Sequence, residues 1–215
     1  MAKRIFVTAT NTDIGKTYTT KLLMKAYAAK GLSVGVIKPI ETGVVDGVAL
    51  DGESLLQTLK EVNPSLWSLE VEDIVPIQYE LPASPLVSSK NTPLDLHKIE
   101  KSLFKLEDTC DVVIIEGAGG LYVPIDQEWM IIDLIAYLKA TTLLVTHCSL
   151  GCINDTILSQ KALEAHTISY LTAYNCKEQD KGFEKVSLPY YEAIGQKILK
   201  VDDDIDIISE LLYNL

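Results

Sequence analysis

The chain is poor in the histidine and cysteine ligands that build transition-metal centres. Its three histidines (His97, His147, His166) stand at no ligand spacing, and its four cysteines (Cys110, Cys148, Cys152, Cys176) form no CxxC pair. The expectation is four reduced, buried thiols in a cytoplasmic protein. No apolar run approaches the ~18 residues that span a bilayer; pure runs such as Val112 to Ile115 have the length of strands. The chain is therefore not expected to be a membrane protein, and its acidic balance argues against anionic membrane surfaces as partners. The basic start Met1-Ala2-Lys3-Arg4 leads into an apolar stretch broken by Thr8, Thr10, Asn11 and Asp13, which reads against an export signal. Basic residues are also scarce, 19 against 30 acidic, for a net charge of −11. That balance excludes nucleic acid as a non-specific partner, and any anionic ligand must find a local positive pocket. With no repeat, linker or low-complexity segment, residues 1–215 read as one domain.

What is present is alternation. With 47% apolar and 23% charged residues the chain is ordinary for a globular protein. Short β-rich runs alternate with stretches of 3.6-residue period, the pattern of βα units around a parallel sheet. Strands are predicted over Arg4–Thr10, Ser33–Lys38, Asp111–Glu116, Thr141–Thr146 and Ser169–Ala173. Helices are predicted over Lys16–Lys30, Asp51–Val62 (capped near Asp51), Asp95–Leu106, a stretch ending at Leu138-Lys139, Ile153–Ala165 and a C-terminal segment after the acidic cluster Asp202 to Asp206. Ser65 to Thr92 holds three of the eight prolines and little periodicity, so a long irregular excursion is expected there.

Polar clusters fall at the C-terminal ends of the predicted strands, where open α/β sheets bind ligands. Gly15-Lys16-Thr17 lies between the first strand and first helix. There Gly15 allows close backbone approach, Lys16 neutralises phosphate charge, and Thr17 offers a hydroxyl to Mg²⁺. Lys38-Pro39-Ile40-Glu41-Thr42-Gly43 follows the second strand and brings a second lysine towards the same ligand. The apolar run Val112 to Ile115 delivers Glu116 to a loop, Gly117-Ala118-Gly119-Gly120, as an oxygen donor suited to a hard cation. Asp51 is a candidate for a further oxygen ligand or a plain helix cap. Ser149-Leu150-Gly151-Cys152-Ile153-Asn154 opens another helix, whose free N–H groups suit a carboxylate, and the Asn175 amide is placed to meet a base edge.

Together these segments resemble the dethiobiotin synthetase family. The likeness rests on Phe6 to Thr17, on Lys38-Pro39 with Thr42-Gly43, on Glu116 to Gly120, and on Leu150 to Asn154. It implies a three-layer P-loop NTPase-like α/β fold with a mostly parallel central sheet flanked by helices. It also implies ATP- and Mg²⁺-dependent carboxylation and ring closure of 7,8-diaminononanoate with CO₂ or bicarbonate, by a homodimer with sites near its interface. Carried over by position, Asp13, Ile14, Gly15, Lys16, Thr17 and Tyr18 form the phosphate loop. Thr17, Asp51 and Glu116 hold the metal, and Gly117, Ala118, Gly119 and Asn175 join the nucleotide site. Lys38 and Lys16 are catalytic, while Thr12, Thr42, Leu150, Gly151 and Asn154 face the substrate. The stretch after Asn175 is shorter than the family's, so weak discrimination of adenine is expected. A nucleotide-driven switch ATPase of the chromosome- or septum-positioning kind is the rival, but those proteins place a second loop lysine where this chain has Asn11.

Overall fold

Why the chain folds as it does is clearest in its centre. The run Val112-Val113-Ile114-Ile115 has no polar face, so it can only be a strand covered on both sides, and all four residues are fully buried. The computed structural model describes residues 2–178, 180 and 182–215. In chain order the elements are β1 (Lys3–Ala9), α1 (Lys16–Ala29), β2 (Val34–Ile37), β3 (Ile40–Thr42), α2 (Leu50–Val62), α3 (Val71–Ile74), β4 (Ile77–Tyr79), α4 (Pro85–Ser88) and α5 (Leu96–Glu107). They continue with β5 (Val112–Gly120), α6 (Ile131–Leu138), β6 (Thr141–His147), α7 (Cys152–Ala165), β7 (Tyr170–Asn175), α8 (Phe183–Val186), α9 (Leu188–Ala193) and α10 (Val201–Asn214). Five strands form one sheet in the order β2-β5-β1-β6-β7, and every pairing in it is parallel.

Right-handed crossovers in a parallel sheet distribute the helices to both faces. The chain moves one way from β1 to β2, putting α1 on one face, where α10 joins it through the Tyr27 hydroxyl donating to Ser209 O at 2.8 Å. It moves the other way from β5 to β6 to β7, placing α6 and α7 opposite. Arg4 stitches β1 to that second face, holding Glu107 of α5 through two bonds and Leu138 O at the end of α6.

Three expectations need correction. The Ser65–Thr92 excursion is not without structure: it holds the short helices α3 and α4 and the strand β4, which pairs parallel with β3 as a second, two-stranded sheet. The segment Gly117 to Gly120 is not a free loop but the end of β5. Val7 pairs with Glu116 and Ala9 with Gly120, so β5 bulges between them. A β-carbon on Gly117 would lie 2.7 Å from Phe6 Cε1, which is why the residue there must be glycine. The cysteines are not all reduced: Cys148 and Cys176 form a disulfide, while Cys110 and Cys152 are free and buried. His147 pairs with Asn175 at the ends of β6 and β7, so the next residue on each strand is brought face to face. No described helix is long and apolar enough to cross a membrane.

Candidate active site

The C-terminal ends of β1, β2 and β5 open into one cavity of about 870 Å³. After β1 the backbone turns through Thr10 to Gly15, with Asp13 (φ 57°) and Gly15 (φ 102°) both left-handed. Gly15 is the N-cap of α1 and supplies no side-chain oxygen to the helix, so the N–H groups at the helix start are left for an anion. Lys16 is buried and donates to Asn11 O at 3.1 Å. Its pKa is lowered by burial, with Lys38 adding to the effect and Glu116 opposing it.

Lys38 follows β2 and is only 5% exposed. Its ammonium bridges two carboxylates, Asp51 and Glu116, the latter through Oε1 at 2.9 Å. Burial works to lower the Lys38 pKa, but the flanking carboxylates override it and hold it above the ordinary lysine value. Lys38 is therefore a cation at neutral pH. Glu116 is fully buried, and its Oε1 also accepts from the Thr17 hydroxyl at 2.7 Å. Its second oxygen, Oε2, has no hydrogen-bond partner among the described residues. A buried carboxylate oxygen left in this state is an open ligand position for a hard cation.

Sequence reasoning cited Glu41 only as a member of its cluster, and the structure gives it a definite part. Oε1 accepts from Asp51 N and Oε2 from Gly52 N, each at 2.9 Å. Glu41 thus covers the first turn of α2 from a neighbouring strand, while the N-cap position itself is Ala49. Asp51 is consequently not the cap: it lies inside the first turn, its carboxylate free to meet Lys38. Burial raises the Glu41 pKa against the opposing pull of Lys38 and the two N–H groups. Gly52 is required because a β-carbon there would lie 2.4 Å from Val75 Cγ2 and 3.2 Å from Glu41 Oε2.

Of the predicted site residues, Thr12, Asp13, Gly15, Lys16, Thr17, Tyr18, Lys38, Thr42, Asp51, Glu116, Gly117, Ala118 and Gly119 line the cavity. Others do not. Ile14 and Asn175 sit behind the loop, the Asn175 amide donating to Ile14 O at 2.7 Å. Leu150 and Gly151 form the turn into α7 and Asn154 lies in the helix's first turn, all outside the cavity; Leu150 is 87% exposed and Gly151, at φ 101°, is the helix N-cap. His147 is engaged by Ser149 and Asp155. The cavity also takes its wall from Pro82 to Pro85 and from Lys177, which sequence reasoning missed. Only Pro85, at the first turn of α4, carried a local signal. Gln179 and Lys181, in the short stretch after Asn175, lie outside the described residues.

A family model described as an AAA domain matches residues 3–210. The ATP-dependent dethiobiotin synthetase BioD of a Sulfurovum species is 44% identical over 190 residues, 88% of this chain and 90% of that one. Its counterpart from Wolinella succinogenes is 34% identical over 215 residues, 99% of both chains. Among solved structures, the MinD cell division protein of Aquifex aeolicus (16% identity, TM-score 0.52) is matched over 97% of this chain and 86% of its own. A ParA family ATPase of Chlorobium tepidum (15% identity, TM-score 0.52) is matched over 93% and 84%. These two share the P-loop NTPase fold, and at such identity the likeness extends to the fold alone. The synthetases are different, for their identity runs through nearly the full length of both chains, and the protein belongs to the dethiobiotin synthetase family, ATP-dependent enzymes of the ligase class.

Proposed function

We propose that the protein converts 7,8-diaminononanoate, CO₂ and ATP into dethiobiotin, ADP and phosphate, in a Mg²⁺-dependent reaction. The observation that carries this reading is the Lys38 ammonium, held charged between Asp51 and Glu116 in the same cavity as the phosphate loop. One amine nitrogen of the substrate attacks CO₂, forming a C–N bond and, after loss of a proton, a carbamate. A carbamate oxygen then takes the γ-phosphoryl group of ATP as the bond to the ADP oxygen breaks. The second amine attacks the carbamoyl carbon, phosphate departs, and the ring closes.

The carbamate, the triphosphate and the phosphorylated intermediate are all anionic, so charge stabilisation is the main demand. Lys16 and the N–H groups at the start of α1 neutralise the phosphates. Lys38 orients the carbamate towards the γ-phosphate, and the Thr42 and Thr12 hydroxyls line the substrate side of the cavity. Thr17, Asp51 and Glu116 would hold Mg²⁺, a fit supported by the unpaired Glu116 Oε2; the ion, when bound, offsets charge on the phosphate oxygens. The exposed turn Leu150-Gly151-Asn154 is assigned to the substrate carboxylate at the interface of a cytoplasmic homodimer.

ADP release by the purified protein tests the reading. Release should require diaminononanoate, bicarbonate and Mg²⁺ together, with dethiobiotin appearing in equal amount. Undiminished ADP release in the absence of the diamine would overturn it.

A further inference from the structure

Ala49, the N-cap of α2, has no side-chain oxygen, so the N–H groups of the helix's first turn must find acceptors elsewhere. Those of Asp51 and Gly52 find the two oxygens of one buried carboxylate, Glu41. The clamp is itself anchored. Glu41 pairs with Gln78 across β3 and β4, the Gln78 amide donates to Val75 O at 3.0 Å, and Val75 packs against Gly52. Lys38, on the turn before β3, is tied to the same unit, its N–H donating to Ile74 O at 2.8 Å. One small unit of β3, β4 and α3 therefore fixes Lys38 and Glu41, and through Glu41 the backbone of Asp51. Asp51 depends on that support, for its side chain is half-exposed and Lys38 is the one donor to its carboxylate among the described residues.

We infer that Glu41 is a positioning residue for the divalent cation: by gripping the backbone of Asp51 and Gly52 it sets where the Asp51 carboxylate stands, and so how tightly the ion is held once nucleotide is bound. The inference rests on the reading of Thr17, Asp51 and Glu116 as the metal ligands, but on no step involving the diamine. Groups that orient a metal ligand govern affinity almost as strongly as the ligand itself. Removing the Glu41 carboxylate leaves the N–H of Gly52 without its acceptor in a buried place, and the first turn of α2 is then free to shift, carrying Asp51 with it.

Mn²⁺ reads the site without turnover. Its dissociation constant is measured from the free-ion electron paramagnetic resonance signal, with the full-length protein in excess over the β,γ-imido analogue of ATP. Glu41→Ala should weaken Mn²⁺ binding to the protein–nucleotide complex about tenfold and Glu41→Gln about threefold, while affinity for the analogue in EDTA stays within about twofold of the parent. In an Asp51→Asn background the same changes at Glu41 should add less than about twofold, because their effect passes through Asp51. A loss of full size in that background would mark a general effect of charge and overturn the inference. A lowered melting temperature with Mn²⁺ affinity unchanged would overturn it too, leaving Glu41 a helix cap alone. Should Glu41→Ala not fold, Glu41→Gln, which keeps the shape of the side chain, decides by the same comparisons. A parent protein that binds Mn²⁺ and nucleotide yet never consumes the diamine would sink the proposed reaction and leave this inference standing; one that takes up no Mn²⁺ with nucleotide would sink the inference together with the metal reading.

Discussion

Two groups of strand ends lie on the same edge of one sheet and have different fates. The ends of β1, β2 and β5 are adjacent, and they bring Lys16, Lys38 and Glu116 into one cavity although these residues are separated by up to a hundred positions in the chain. The turn after β6 is just as polar and glycine-bearing, yet it remains outside, with Leu150 turned to solvent. Adjacency in the sheet is not enough to share a site, since β6 pairs directly with β1 and its turn still stays outside. In the homodimer proposed above, that turn would serve the cavity of the other copy.

The largest expected effect lies within the assembled group. Lys38→Ala and Lys16→Gln should each lower the rate of ADP release by about 10²-fold or more, as loss of a charge-stabilising donor commonly does. A full rate in either variant would remove that lysine from the reaction. Next comes the support beneath the group: Gly52→Ala places a methyl against Val75 and Glu41 and should cost about 1–3 kcal/mol in thermal denaturation. It should also reduce turnover roughly tenfold, because Asp51 shifts with the helix turn. On the other side of the comparison, Asn154→Ala in the excluded turn should raise KM for the diamine several-fold and leave KM for ATP alone; a change in KM for ATP instead would place the turn on the nucleotide side.

The pH dependence separates the two lysines. Burial lowers the Lys16 pKa and the carboxylates raise that of Lys38, so on raising pH Lys16 loses its proton first. Nucleotide affinity should therefore fall on the alkaline side below the ordinary lysine range, and Lys16→Arg should move that limb upward. The smallest expected difference is between nucleotides: single-turnover rates with ATP and GTP should be comparable, and a preference beyond about a hundredfold, roughly 2.7 kcal/mol, would contradict this.

Much of the frame was legible because it follows from periodicity. Long helices such as α1, α5 and α7 lie within a residue or two of their predicted ranges, and the buried run of β5 announced itself. The excursion was not legible, because α3, α4 and β4 are three or four residues long, too short to show a period. The cap alternative for Asp51 rested on aspartate being common at helix starts; the true acceptor, Glu41, stands ten residues away and becomes visible only when β3 is laid beside the start of α2. The Cys148–Cys176 pair was hidden for a related reason: 28 residues apart in sequence, the two meet only through the register of β6 and β7.

The way Glu41 grips the backbone of Asp51 and Gly52 bears on any attempt to rebuild this chemistry elsewhere. Copying the three charged residues at 38, 51 and 116 onto another parallel sheet would leave the aspartate free to drift with its helix. A faithful transplant must carry two silent positions as well, the glutamate that grasps the helix and the glycine that makes room for it.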